Sequence, residues 1–297
     1  GNFLAGLTWG GTLYLLKQFD PKRCLEIIEK ERINYMGGAV IMYEGMAAQP
    51  EFEDADMSSF FAPLVGASPV PLPLLKRWQK KGVNLRQGYG LTEASSIIIS
   101  LPHWASESKL SAIGFHGYSA EFRVVDAEGN DSPPGEPGEI LIRGPVVMLG
   151  YWNNPKATEE TIIDGWLHTG DVGLKDEDGF ISIVDRVKDM IISGGINTYP
   201  AEIEKCIFEI EGVLEAAVIG IPDEKWGETV GALIRSSRDM TVQDVIDHCK
   251  AHLADYKVPR YVKLIGDPLP RTMSGKLVKR NIKKKYLDIL LESGRAR

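Results

Sequence analysis

Pro21-Lys22-Arg23-Cys24-Leu25-Glu26-Ile27-Ile28-Glu29-Lys30-Glu31-Arg32-Ile33, followed closely by Tyr35-Met36-Gly37-Gly38-Ala39-Val40-Ile41-Met42, is the stretch that decides the fold class. In the first half Leu25 and Ile28 recur at helical spacing among Lys, Arg and Glu, which predicts an amphipathic helix. The second half is a short apolar run of the kind that forms a buried strand. The same pair returns downstream, with a helix expected over residues 74–81 and another apolar run over 62–65, all punctuated by Gly and Pro. Helices alternating with buried strands imply an α/β layered domain.

After Ser111 the texture changes to strand pairs with turn signals. Phe122-Arg123-Val124-Val125 precedes the turn Asp126-Ala127-Glu128-Gly129, and Glu139-Ile140-Leu141-Ile142-Arg143 follows a Pro/Gly cluster at 132–138. Asp176-Glu177-Asp178-Gly179 leading into Phe180-Ile181-Ser182-Ile183-Val184 predicts a hairpin, so this region reads as a β-rich lobe. From Pro200 the pattern changes again. Helices are expected over 201–210, 242–253 and from Lys279, with strands over 216–221 and 261–265. Thr241 and Asp244 fit a capping box for the second of those helices. About a hundred residues of this kind make a separate α+β domain. The boundary is expected near residues 185–188.

Composition narrows the function classes. Lys and Arg total 34 against 41 Asp and Glu, a net charge of −7, so no bulk positive field gathers nucleic acid or anionic lipid. No apolar run approaches a membrane span. Cys24, Cys206 and Cys249 are scattered, odd in number and without a CxxC pair. That argues against a disulfide framework and a zinc site, and fits a reducing, cytoplasmic compartment. The chain opens on Gly1-Asn2-Phe3-Leu4 with no initiator Met, which suggests a piece of a longer protein.

Five local strings could carry chemistry: Tyr89-Gly90-Leu91-Thr92-Glu93, His168-Thr169-Gly170-Asp171, Asp185-Arg186-Val187-Lys188-Asp189, Ser193-Gly194-Gly195, and Pro270-Arg271-Thr272-Met273-Ser274-Gly275-Lys276. A Gly turn bearing Thr92 and Glu93 can offer N–H groups and a hydroxyl to phosphate and a carboxylate to Mg²⁺. The competing reading is an ordinary strand-to-loop turn. Asp171 can accept both hydroxyls of a ribose, or cap its own loop. Lys276 after Ser-Gly is either an exposed mobile ammonium with a task or a surface lysine in a basic tail. Trp226 is packed, or stacks on a base. His248 and His252 sit at i and i+4 on an expected helix, yet no HExxH pattern completes a metal site, and they read as surface histidines. Lys283, Lys284 and Lys285 read as a solvated helix face.

The order and spacing of these strings resemble the adenylate-forming superfamily of acyl-CoA synthetases, adenylation domains and firefly-type luciferases, over nearly the whole chain. Gly138-Glu139-Ile140-Leu141-Ile142-Arg143-Gly144 continuing to Gly150-Tyr151-Trp152-Asn153-Asn154-Pro155 is similar to one further signature of that family. Ile191-Ile192-Ser193-Gly194-Gly195-Ile196-Asn197-Thr198-Tyr199-Pro200-Ala201-Glu202-Ile203-Glu204 is similar to another, in its acyl-CoA ligase form. The family's Ser/Thr/Gly-rich phosphate loop is missing. The resemblance therefore implies the C-terminal portion of a longer ligase, inactive in adenylation alone.

The implied architecture is part of a large AMP-binding domain over 1–186, a sheet plus a β-rich lobe, and a small mobile α+β lid over 187–297. The implied activity is ATP-dependent activation of a carboxylic acid, medium- or long-chain fatty or cyclic or aromatic, to an acyl-adenylate and then a CoA thioester. ATP, Mg²⁺ and coenzyme A are the implied cofactors, and a homodimer is compatible with the family. By motif, Glu93 is a metal-associated carboxylate, Thr92 a phosphate contact, and Lys276 the cation that bridges the acid and the α-phosphate. Gly66, Ala67 and Ser68 line the adenine, Tyr89 lies against the base, Gly90 belongs to the nucleotide-binding set, and Asp171 and Arg186 hold the ribose. Lys188 is the hinge. Gly195, Trp226, Tyr256 and Arg260 are the CoA candidates, with Val258 where some relatives place a cation. The acyl pocket draws on 37–40, 88–90 and 115–117, although Ala39-Val40 stands where Val-Pro is frequent. Two other readings stay open: an adenylation domain that loads a carrier protein, and a catalytically silent nucleotide-binding module.

Overall fold

The computed structural model describes residues 2–66, 70–115, 119–271 and 277–296. The chain divides into two compact units, one of Gly1–Thr169 with Gly173–Ile183, the other of Gly170–Val172 with Val184–Arg297.

The first unit begins with helices α1 (Asn2–Thr8) and α2 (Pro21–Lys30). Asp20 caps α2 by accepting from the Arg23 amide, Pro21 occupies the first turn where its missing N–H costs nothing, and Cys24, Leu25 and Ile28 are buried. Strand β1 (Gly37–Ala39) follows, but the rest of that apolar run is helix α3 (Val40–Ala47), not strand. Then come β2 (Leu64–Gly66), α4 (Leu72–Lys80), β3 (Arg86–Leu91) and β4 (Ser96–Ser100). The sheet order is β1-β2-β3-β4, with the first three parallel and β4 antiparallel to β3. Trp78 of α4 anchors the core: it is fully buried, meets Tyr43 and Phe52 edge-on at 5.4 and 4.9 Å, and donates its indole N–H to the Tyr43 carbonyl. Such edge-to-face pairs add to what burial alone contributes.

The β-rich lobe is β5 (Glu121–Val125), β6 (Pro137–Arg143), helix α5 (Pro155–Thr161), β7 (Ile162–Ile163), β8 (Trp166–Lys175) and β9 (Ile181–Arg186). Its sheet runs β5-β6-β8-β7, with β9 on β8. The expected turn after Val125 is real: the Asp126 carboxylate accepts from the Glu128 and Asn130 amides, and Gly129 supplies φ +84°.

The second unit contains β10 (Ile191–Ser193), β11 (Ile196–Thr198), α6 (Pro200–Phe208), β12 (Val213–Asp223), β13 (Gly227–Ser236), α7 (Val242–His252), β14 (Tyr261–Leu264) and α8 (Lys279–Glu292). Strand β13 is central, paired antiparallel to β12 and β10 and parallel to β14. Along β12, Ala216 and Val218 pack with α6 and α7 on one face, while Ala217, Ile219 and Ile221 pack with Ile282, Tyr286 and Leu290 of α8 on the other. A sheet covered on both faces explains the continuous apolar run. The Thr241–Asp244 capping box forms as expected. The α/β and α+β classes expected from sequence both hold. No helix among the described residues is long and apolar enough to cross a membrane.

Candidate functional site

In the first unit the candidates gather where the parallel strands end. Ala39 pairs with Gly66, and a Cβ on Gly66 would lie 2.7 Å from the Gly88 carbonyl oxygen, so β2 and β3 approach more closely than any side chain permits. Gly90 is tighter still: its Cβ would stand 1.7 Å from the Ser96 carbonyl oxygen. Only glycine fits there. After Leu91 the chain makes one 3-10 turn, Thr92–Ala94, and reverses into β4 through Ser95 and Ser96 at φ 62° and 103°. This corner lifts the Thr92 side chain into solvent and leaves Glu93 half-buried. The carboxyl ends of parallel strands are where open α/β sheets bind ligands.

Glu93 is held from the β-rich lobe. The Tyr151 hydroxyl donates to Glu93 Oε1 at 2.9 Å, and the Met148 amide donates to the Glu93 carbonyl at 2.7 Å. Burial and the adjacent carboxylate together push the Tyr151 phenol pKa up. The other carboxylate oxygen of Glu93 has no protein partner among the described residues, so one hard oxygen ligand is available to a cation such as Mg²⁺. Tyr151 lay inside a string already singled out, but no spacing rule couples it to a carboxylate 58 residues earlier.

Of the acyl-pocket segments, residues 37–39 form β1, and Phe115 packs against Trp104 and Phe180 at 5.6 and 5.3 Å. Ala67, Ser68, His116 and Gly117 lie outside the described residues, as does Lys276.

In the second unit Asp171 and Arg186 are brought together: Arg186 Nε donates to Asp171 Oδ1 at 2.7 Å, and the carboxylate is nearly buried. Gly170, at φ +67°, turns the backbone just before it. The preceding residue of the motif, Asp185, has a task the sequence did not reveal. One of its oxygens accepts from the Arg186 amide at 2.8 Å and the other from the Ala201 amide at 2.7 Å, which ties the start of the second unit to the first turn of α6. That helix has no side-chain cap of its own. Lys188 is exposed on a single 3-10 turn, Val187–Asp189.

Gly194 and Gly195 form the two-residue turn of the β10–β11 hairpin, both at positive φ, +61° and +81°. Trp226 lies against Gly194: its carbonyl accepts from the Gly194 amide at 2.9 Å, and a Cβ there would meet the indole at 2.6 Å. Around Gly195 the space is open. The Arg260 guanidinium sits 5.5 Å from the indole centroid and Lys225 Nζ 4.6 Å from it. Asp223, whose side chain is fully buried, accepts from the Lys225 and Trp226 amides and from Arg295. Burial raises its pKa, but those amides and guanidiniums outweigh it and hold the carboxyl below its usual range. Gly194, Trp226 and Arg260 thus lie together, with Gly195 next to Gly194 in the turn. Tyr256 differs, with Lys257 facing its ring at 5.6 Å. Val258, considered as a stand-in for a cation, is fully buried in the core.

Residues 272–276 are spanned by an antiparallel bridge between Arg271 and Leu277. Arg271 binds Glu215 at 2.8 Å, and Lys279 Nζ lies 2.9 Å from Glu204 Oε1, so the flanks of the segment are anchored to carboxylates, buried at Glu215 and half-buried at Glu204. Neither anchor has a sequence signature, since each partner is brought in from a distant element.

Residues 1–152 match the family model described as AMP-binding enzyme, and residues 202–276 match the AMP-binding enzyme C-terminal domain. The chain is 40% identical over 285 residues to a feruloyl-CoA synthase of Amycolatopsis sp, covering 95% of this chain and 58% of that protein. It is 37% identical over 280 residues to a long-chain-fatty-acid–CoA ligase of Mycobacterium tuberculosis, covering 93% and 55%. The o-succinylbenzoate CoA synthetase of Bacillus subtilis, solved with its acyl-adenylate intermediate, superimposes with a TM-score of 0.87 at 34% identity, over 95% of this chain and 57% of that one. The chain therefore spans a little over half the length of the relatives it matches. On these grounds the chain belongs to the AMP-binding enzyme family, the adenylate-forming enzymes, and within it to the acyl-CoA synthetase type.

Proposed function

We propose that the whole protein is an AMP-forming acyl-CoA ligase. A carboxylate oxygen bonds to the α-phosphorus of ATP as the bond to pyrophosphate breaks. The CoA sulfur then bonds to the acyl carbon as the bond to AMP breaks and the thiol proton departs. The observation that carries this reading is the corner at Thr92 and Glu93, which puts a hydroxyl and a tethered carboxylate at the carboxyl ends of a parallel sheet.

In this reading Thr92 binds a phosphate oxygen, and Glu93, oriented by Tyr151, holds Mg²⁺ through its available oxygen. When bound, Mg²⁺ offsets charge on the phosphates. Lys276 supplies the positive charge shared by the attacking carboxylate and the α-phosphate, as phosphoryl transfer demands of its cations. Gly66, Ala67, Ser68, Tyr89 and Gly90 form the adenine wall. The Arg186 guanidinium aims the Asp171 carboxylate, which suits it to accept the ribose hydroxyls. Rotation at Lys188 then exchanges Lys276 for the open turn at Gly195, and CoA uses Gly195, Trp226, Tyr256 and Arg260.

The relatives named as acting on a ferulate, a succinylbenzoate and long-chain fatty acids support a carboxylic acid with a large apolar or aromatic body. The buried reduced cysteines suit a cytoplasmic setting. A panel of aromatic and fatty acids, assayed on the whole protein for ATP-dependent thioester, tests the proposal. AMP, pyrophosphate and CoA thioester should appear in equal amounts for at least one acid; formation of ADP, or acid-dependent AMP with no thioester, contradicts it.

A further inference from the structure

Three side chains that the ligase chemistry does not use converge where α6 packs on α7. Cys206 comes from α6, and His248 and His252 lie one turn apart on α7. One donor atom from each, the thiol sulfur and two imidazole nitrogens, all lie within 4.8 Å of one another. Read as scattered cysteines and surface histidines, these residues gave no metal motif, because the third donor enters 42 residues earlier from a different helix. We infer that Cys206, His248 and His252 form a binding site for a borderline-soft divalent cation of the zinc kind, with solvent as the fourth ligand.

A thiolate with two imidazoles is the donor set such cations prefer, and three protein ligands with one open position is a recurring arrangement. At metal–ligand bonds of 2.0–2.3 Å a tetrahedral ion needs donors about 3.5 Å apart, so the cluster must close by about 1 Å. Cys206 is 5% exposed and cannot move far, but the His252 ring is exposed and can. The histidines are also oriented. His252 Nδ1 lies 2.8 Å from the His248 carbonyl oxygen, which makes Nδ1 the donor and leaves the lone pair on Nε2. His248 Nε2 lies 3.0 Å from the Cys206 carbonyl oxygen, a contact that ties the ring to α6. The carbonyl behind the His252 ring is the usual support for a metal-bound histidine, and His248, with Nε2 held by the Cys206 carbonyl, would ligate through Nδ1. The Glu209 carboxylate, 4.0 Å from His248 Nε2, adds negative charge beside the site.

Cys206 must lose its proton to bind. Metal binding therefore releases a proton and tightens as pH rises. A bound ion would cross-link α6 to α7, two helices that cover one face of the second unit, and would raise its stability by mass action. None of this depends on the ligase reading.

The test is titration of the untagged, chelator-treated protein with Co²⁺, followed by displacement with Zn²⁺. The site predicts thiolate-to-cobalt charge-transfer absorption together with tetrahedral d–d bands, saturating at a single equivalent. The thermal midpoint should rise with Zn²⁺. His252→Ala, at an exposed position, should weaken binding by about tenfold or more and abolish the thermal shift. Cys206→Ser should lose the charge-transfer band, and Cys249→Ala should keep it. No charge-transfer band at stoichiometric cobalt, a titration unchanged in His252→Ala, or a band that disappears with Cys249 instead of Cys206 would each overturn the assignment.

Discussion

Arg271 donates two hydrogen bonds, from Nε at 3.1 Å and from Nη2 at 2.8 Å, to the same oxygen of Glu215. The second oxygen accepts from Arg235 at 2.8 Å and from the Leu269 amide at 3.1 Å. Glu215 is 5% exposed, so its charge is tolerable only with all four donors in place. Because Arg271 immediately precedes residues 272–276, this one carboxylate sets the base from which the segment carrying Lys276 departs.

Glu215→Gln should destabilise the second unit by about 2 kcal/mol, less than a fully buried pair because both guanidiniums are partly exposed. Burial raises the Glu215 pKa, but the guanidiniums and the Leu269 amide outweigh it and leave the carboxyl below its ordinary range. The stabilisation is therefore complete above about pH 4.3, the unfolded value, and is lost as pH falls through the lower folded value. Denaturant unfolding between neutral pH and about pH 3 checks this; an equal pH slope in wild type and variant would remove the claim.

Tyr151→Phe should spare folding and lower the affinity for Mg²⁺ in the AMP-forming step by about tenfold, the worth of a hydrogen bond to a charged group. A Mg²⁺ titration of pyrophosphate release reads it. An unchanged Mg²⁺ midpoint would mean that Tyr151 does not orient Glu93 for the metal.

Gly194→Ala and Gly195→Ala should differ although the residues are neighbours with similar backbone. At Gly195 the cost is backbone strain alone, about 1 kcal/mol, since nothing lies within 4 Å of an added Cβ. At Gly194 the methyl would meet the Trp226 ring, so the indole must move and its fluorescence should change. Identical emission spectra in the two variants would contradict the packing.

Much of the architecture was legible because local chemistry and burial agree. Pro21 to Lys30 carries its cap, its proline and its apolar stripe in sequence, and the Asp126 turn likewise specifies itself. The run from Tyr35 to Met42 misled for a physical reason. From Val40 to Ala47 the helix is nearly uniformly apolar, so it has no polar face to mark a period, and a short apolar segment is ambiguous between strand and helix. Strand β13 was overlooked because it opens on Gly-Glu-Thr and is then buried on both faces, with no alternation to reveal it. At the candidate site, motif order proposes Thr92, Glu93, Asp171 and Arg186, and the structure pairs the last two. Tyr151, Asp185, Glu215 and the Cys206–His248 convergence could not be read from it, since each arises only when distant elements pack.

In the proposed ligase cycle the pivot is Lys188, which is exposed on its short turn. Lys188→Pro should leave both units folded, with an unchanged circular dichroism spectrum, while lowering overall thioester turnover by about tenfold or more. Wild-type turnover in that variant would exclude a pivot at this residue.

The central claim is that Lys276 acts on the phosphate and not on the thioester. Lys276→Ala in the whole protein, followed through the two half-reactions separately, tests it most directly. Acid-dependent pyrophosphate exchange should fall by about 10²-fold or more, whereas supplied acyl-adenylate should still be converted to CoA thioester at close to the wild-type rate. Equal loss in both half-reactions, or exchange that survives the substitution, would contradict the account.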